Sequence, residues 1–236
     1  MKNYTLAISI LIIMVSGCAA PPPSKIKQDI SARSMLLVVA LDDEITYRGV
    51  GWFAWEQHSS KHTLEGINFA DTVEKWFIQK YGSKYKIKVV EPERRKEFVE
   101  VKYYWSVDIP KINEQREFIR QLAEAEDVDM IMVIGSNTPN GEFMLNPQFN
   151  GNGILTGLSL TGDVKKSWIL STTRAVLFDG VTTNEIAADE NSGKIEIEKP
   201  FEKPEDISSD GLKPLHGDFI EAVLGTTEEL MVKMGL

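Results

Sequence analysis

Met35-Leu36-Leu37-Val38-Val39-Ala40-Leu41, closed by Asp42-Asp43-Glu44, is the stretch that decides the fold. Seven apolar residues in a row, β-branched at the centre and stopped by three acids, are too few for a globular helix. They suit a strand covered on both faces, as in a sheet with helices above and below. Working outward, Phe69, Val73, Trp76, Phe77 and Tyr81 recur at helical spacing. Asn68 or Asp71 is placed to cap that helix and Gly82 to end it. Tyr85-Lys86-Ile87-Lys88-Val89-Val90 alternates and predicts a half-exposed strand. Phe118, Ile119, Leu122 and Ala123 predict a second helix over 113–126, and Asp129-Met130-Ile131-Met132-Val133-Ile134 a second buried strand ending in Gly135-Ser136.

The pattern then changes. Residues 151–160 and 167–178 read as strands with no helix between them, Asp179-Gly180 as a hairpin turn, and 181–188 as the returning strand. Lys194-Ile195-Glu196-Ile197-Glu198 alternates like a separate edge strand whose charges blunt edge-to-edge pairing. Asp218 and Glu221 fit the start of a last helix lined by Phe219, Val223, Leu230 and Met234 and closed by Gly235. The fold class predicted is mixed α/β: strand–helix–strand–helix–strand, then an antiparallel meander and a C-terminal helix. Residues 50–55 fit either a short strand or an aromatic loop, and 98–107 either a strand or an extended insertion.

The chain has 236 residues, 42% hydrophobic and 26% charged, with a net charge of −9. Such a composition is that of a globular chain with a sizeable core. The acidic balance argues against nucleic acid and against adhesion of the folded surface to anionic lipid. Only one cysteine, Cys18, is present, so neither an internal disulfide nor a cysteine metal cluster is available.

Cys18 carries its own message. Lys2 precedes the apolar run Leu6 to Met14, and Val15-Ser16-Gly17 leads into the cysteine. The run is too short for the roughly 20 residues of a membrane span. The order resembles a bacterial lipoprotein signal peptide, which implies cleavage before Cys18 and its acylation by diacylglycerol and palmitate. Residues 1–17 are then the signal peptide and 18–33 a lipidated tether stiffened by Pro21-Pro22-Pro23. Residues 34–236 form a single periplasmic domain. The fifteen residues from Ala19 to Arg33, at about 3.3 Å each, reach roughly 50 Å. Ala19, in place of an aspartate, implies sorting to the inner leaflet of the outer membrane.

The order of elements, with Tyr85-Lys86-Ile87-Lys88-Val89-Val90-Glu91, Gln121-Leu122-Ala123-Glu124-Ala125-Glu126-Asp127-Val128-Asp129, Gly135-Ser136 and Leu177-Phe178-Asp179-Gly180, resembles a group of periplasmic α/β domains. The group comprises TolB amino-terminal regions, curli-secretion lipoproteins and the lipoprotein activators of penicillin-binding proteins. The resemblance covers about 34–234 and implies a non-catalytic role in assembly, activation or secretion, with no catalytic residues to carry over.

Asp42-Asp43-Glu44 sits beyond the carboxyl end of a buried strand, where ligands of open α/β sheets bind. Three acids there suit a hard cation or a general base, but adjacent residues of an extended chain point to opposite faces. His58 and His62 have zinc spacing only if helical, and Ser59 stands where a zinc protease needs glutamate. His216 beside Gly217 reads as a turn. Gly151-Asn152-Gly153 with Gly157 lacks the strand–helix setting of a phosphate loop, and 135–141 reads as a polar turn. Trp52, Trp55, Tyr103, Tyr104 and Trp105 form the candidate partner-binding surface, since interfaces favour Trp and Tyr; packing in the core is the competing reading.

The leading expectation is a lipid-anchored, non-catalytic binding, assembly or activator module for a periplasmic or outer-membrane protein, with no cofactor and no metal. The alternatives are a cation-assisted periplasmic hydrolase using Asp42, Asp43 and Glu44, and a subunit of an export assembly.

Overall fold

A computed structural model describes residues 33–50, 57–95, 109–136, 151–158, 164–198 and 207–236, together with Ile26 and Ile30. The strands are β1 (Ser34–Ala40), β2 (Glu44–Val50), β3 (Gln57–Thr63), β4 (Lys86–Val89), β5 (Met130–Ser136), β6 (Asn152–Leu158), β7 (Val164–Asp179) and β8 (Glu185–Ile197). The helices are α1 (Phe69–Tyr81), α2 (Ile109–Glu126), a short α3 (Ser209–Leu212) and α4 (His216–Met234).

All eight strands join one mixed sheet. β1 lies parallel to β4 and β5, and β2 parallel to β6. β7 runs antiparallel to both β5 and β6 along one edge: Ser136 pairs with Thr173 and Asn152 with Ser171. β5 and β6 are therefore two pieces of one row, and so are β1 and β2 beside them. The outer row holds β4 and β3, and β8 follows β7 from Ser167 to Phe178 on its other edge. The result is a long ribbon. Its base holds the starts of β1, β4 and β5 and the β7–β8 turn, and its tip holds Val50 and Gln57, the paired ends of β2 and β3.

Two cores explain the base. On one face Met35, Leu37 and Val39 pack with Met130, Met132, Ala175 and Leu177 beneath Phe69, Val73 and Phe77 of α1 and Phe219, Val223 and Leu230 of α4. On the other, Leu36, Val38, Ile131, Val133, Val176 and Phe178 meet Ile119, Leu122 and Ala123 of α2. The uninterrupted apolar run of β1 is thus explained: its alternate residues serve opposite cores. Phe69 and Phe219 meet with ring centroids 6.3 Å apart and planes tilted by 55°, and join the two helices of the first face.

Several expectations change in detail. The hairpin β2–β3 stands between β1 and α1, because Asp42-Asp43 only interrupts the row and Glu44 begins the next strand. β8 is continuous through Lys194–Ile197 rather than two strands, and it starts at Glu185 after a turn whose Asp179 carboxylate accepts from Val181 and Thr182. Asn68 caps α1, accepting from the Asp71 N–H. The capping box expected at Asp218 and Glu221 is absent: α4 begins at His216, running on from a 3₁₀ turn, with no side-chain cap. Gly235, with φ 88°, closes α4 in the left-handed conformation.

Upstream of β1, Ile30 is 3% exposed and belongs to the α1/α4 core. Ile26 packs against that core, and its N–H donates to the Met234 carbonyl at 2.9 Å.

Candidate functional site

The acid run after β1 is the densest candidate, and each carboxylate faces a different task. Asp42 accepts from the Glu44 N–H at 3.1 Å and shapes the break between β1 and β2. Asp43 accepts from the Phe69 N–H at 2.9 Å, in the first turn of α1, where the helix dipole favours a negative charge. Burial nevertheless holds the Asp43 carboxyl above the usual range, against that hydrogen bond and with the help of Asp42 and Asp71. Glu44 turns away to pair with Lys61 across the hairpin. The run does not converge on one point, as the alternation of an extended chain requires.

A second acid, invisible to motif reading, lies next to it. Glu74 is buried on α1. Its Oε2 accepts from Arg95 Nη2 at 2.7 Å, while Arg95 Nη1 donates to Asp71 at 2.9 Å. Among the described residues, Glu74 Oε1 and Arg95 Nε have no hydrogen-bond partner. Burial pushes the Glu74 carboxyl up to about 7; the Asp71 charge adds to this and Arg95 opposes it. Arg95 follows the 3₁₀ turn Pro92–Arg94, so the cluster clasps the chain after β4 onto α1. The signal was present in the sequence: Glu74 falls in the stripe Ala70, Val73, Phe77, Tyr81 that the helix buries.

The histidine pair is settled by its element. His58 and His62 lie on β3, not on a helix, so four residues separate them by about 13 Å. His62 Nε2 shares a hydrogen bond with Ser60 Oγ at 2.7 Å, and burial lowers its pKa. His216 opens α4 instead of sitting in a turn. Gly153 and Gly157 are strand residues of β6, paired with β2 on one side and β7 on the other, so no phosphate loop forms there. Among the described residues no group of three His, Cys, Asp or Glu side chains is placed to hold a metal ion.

Concave surfaces among the described residues include the following two. A groove of about 410 Å³ lies between the end of β8 and the start of α4, lined by Ile195, Ile197, Leu215, Glu198 and Asp218. One of about 310 Å³ lies at the base, lined by Ser34, Arg120, Glu124, Asp127, Asp129 and Val181. In the latter, Asp129 accepts from the Ser34 N–H and hydroxyl, which hold its carboxyl below the usual range. Cys18, Trp52, Trp55, Tyr103, Tyr104 and Trp105 lie outside the described residues.

No protein-family model matches the chain. No curated protein matches it either. Solved structures of similar arrangement do exist. Protein XCC0632 from Xanthomonas campestris, described under family DUF330, is 9% identical, with 91% of this chain and 90% of that chain covered at a TM-score of 0.40. Lipoprotein GNA1162 from Neisseria meningitidis is 14% identical, covering 83% of this chain and 99% of that one at 0.33. The LpoB C-terminal domain from Salmonella enterica is 12% identical, covering 72% and 87% at 0.28. At such identities and scores the likeness carries no argument about what this chain does.

Proposed function

We propose that the protein is a lipid-anchored envelope module, held by acylated Cys18 at the inner leaflet of the outer membrane, that binds a periplasmic or outer-membrane protein without catalysing a reaction. The observation that supports this reading over the hydrolase is the use made of the acid run. Asp42 shapes a strand break, Asp43 sits on the first turn of α1 and Glu44 pairs with Lys61. A general base or cation site needs carboxylates that converge on one reacting atom. The aromatic residues Trp52, Trp55, Tyr103, Tyr104 and Trp105 are the proposed partner-binding surface, since large aromatics anchor protein interfaces.

One experiment tests both halves. Cells expressing the wild-type chain, Cys18→Ser or Trp52→Ala are crosslinked, fractionated and searched for the partners recovered with the domain. Cys18→Ser is expected to leave the membrane fraction. Trp52→Ala is expected to stay there, keep its melting temperature and lose partners, at a cost of about 2 kcal/mol of binding. Membrane retention of Cys18→Ser at mature size sinks the anchor. A collapsed melting temperature for Trp52→Ala puts that residue in the core and removes it from the surface.

A further inference from the structure

We propose that the groove beside the end of β8 is a docking site for an extended segment of a partner protein, one in which apolar residues alternate with Lys or Arg and which pairs as an added strand with the outer edge of β8. The inference rests on the binding-module reading above and gives that module a second surface with a defined ligand chemistry.

The edge comes first. β8 runs for 13 residues, from Glu185 to Ile197, and among the described residues it pairs with β7 alone. Every second residue of an antiparallel edge strand turns its N–H and C=O away from the sheet. Such an edge accepts a further strand, with main-chain hydrogen bonds supplying affinity and side-chain pockets supplying specificity. The groove of about 410 Å³ lies along it, lined by Ile195, Glu196, Ile197 and the following Glu198. Neighbouring residues of a strand point to opposite faces, so a groove that touches four in succession borders the edge itself and not one face. The far wall is made by Pro214 and Leu215 of the 3₁₀ turn that runs into α4, and by Asp218 in the first turn of that helix.

The two sets of side chains define the occupant. Ile197 belongs to the core under α4, and Ile195 and Leu215 pack against it, so this side of the groove offers apolar contact to alternate residues of an added strand. Glu196 points to the opposite face and is exposed, as is Glu198 just beyond the strand. Glu196 already shares its charge with Lys166 at 3.0 Å. Glu198 and Asp218 pair with no cation among the described residues, so their charges are left for a ligand. Opposite charges on neighbouring strands stabilise a sheet and like charges oppose it. A strand that alternates apolar and basic residues satisfies both sides of the groove, whereas an acidic strand is repelled. The acids that blunt indiscriminate edge pairing thus admit a basic partner.

The test uses the full chain in detergent micelles and a fluorescein-labelled hexapeptide of alternating valine and lysine. Saturable binding, read as a rise in anisotropy, is expected, with hydrogen exchange slowed at the backbone amides of β8. A peptide of three valines followed by three lysines is expected to bind about tenfold more weakly, and so is the alternating peptide methylated at every backbone nitrogen, which cannot donate to an edge. Glu198→Lys is expected to weaken the alternating peptide about tenfold. Glu114→Lys, the same charge change at an exposed position of α2, is expected to leave binding as in the wild type, and both variants to keep its melting temperature. Equal binding of the blocked-sequence or methylated peptide, or an equal loss from both variants, reduces the effect to general charge attraction and overturns the proposal. So does a dimer in sedimentation that Glu198→Lys dissociates, which makes the occupant a second copy of this chain. No peptide binding, with partners still recovered from crosslinked cells, overturns the groove and leaves the binding module standing. No partner recovered by the wild type in cells overturns both.

Discussion

At the scale of single residues, Glu74 sets a pH dependence whose sign is fixed. Its carboxyl titrates at about 7 in the folded chain against an ordinary 4.5, chiefly because burial disfavours its charge. Between those values the native state holds a proton that the unfolded state has lost, so the stability Glu74 contributes is complete below about 4.5 and is lost as pH rises through about 7. Glu74→Gln keeps an acceptor for Arg95 and cannot ionise. Denaturant midpoints at pH 5 and pH 8 should therefore differ less in the variant than in the wild type, with the wild type less stable at pH 8. An equal difference in both would remove Glu74 as the cause.

A second residue-scale expectation concerns the sheet face under α4. Asn152, Ser171 and Thr173 are buried side by side, and among the described residues their side chains have no hydrogen-bond partner. A buried hydroxyl that makes no hydrogen bond opposes folding. Thr173→Val keeps the β-branched shape and deletes that hydroxyl, so it should raise stability by about 1 kcal/mol. A fall in melting temperature would show that the hydroxyl is satisfied. These groups were hidden in the sequence because Ser171-Thr172-Thr173 reads as an ordinary strand, and only the register puts Asn152 beside it.

At the scale of elements, legibility followed apolar content. β1, β5, α1 and α4 were readable because their buried residues keep a period. β3 was not: Gln-His-Ser-Ser-Lys-His-Thr carries no apolar pattern, and it becomes a strand by pairing with β2. From sequence β8 reads as two strands, because Asn191-Ser192-Gly193 has turn chemistry. The helix above it explains its continuity. A Cβ on Gly193 would sit 2.6 Å from Thr226 Oγ1, so glycine is what lets α4 approach, and Asn191 donates to Glu229 and the Thr226 carbonyl and accepts from Lys233. Gly180 plays the same part at the base, where a Cβ would meet Ala123 at 2.8 Å and the carbonyl oxygens of Val128 and Asp129 at 2.9 and 3.1 Å. Two of these are backbone atoms and cannot rotate away. Gly180→Ala should cost about 1–3 kcal/mol, read as a lower denaturant midpoint with an unchanged slope. Wild-type stability would mean that the β7–β8 turn slides freely over the end of α2.

At the scale of the whole molecule, the strand count conceals how few rows there are. No local pattern announces that β1 and β2, or β5 and β6, lie end to end; only β7, which pairs with β5 through Thr173–Asp179 and with β6 through Val164–Ser171, shows it. That strand has a consequence for cooperativity. β7 and β8 run the full length of the ribbon, and α4 packs along both, so base and tip share two strands and a helix and cannot melt independently without tearing them. The protein should unfold in one transition. A lesion at the base, Leu177→Ala, and one further along β7, Ile169→Ala, remove side chains from the same core and should each cost about 2–5 kcal/mol. Each should shift one common midpoint, seen alike by far-ultraviolet circular dichroism and by tryptophan fluorescence, to which Trp76 reports from α1 and Trp168 from the tip half of β7. If Ile169→Ala split the curve, with fluorescence changing before circular dichroism, the two halves would be separate cooperative units and β7 a hinge between them.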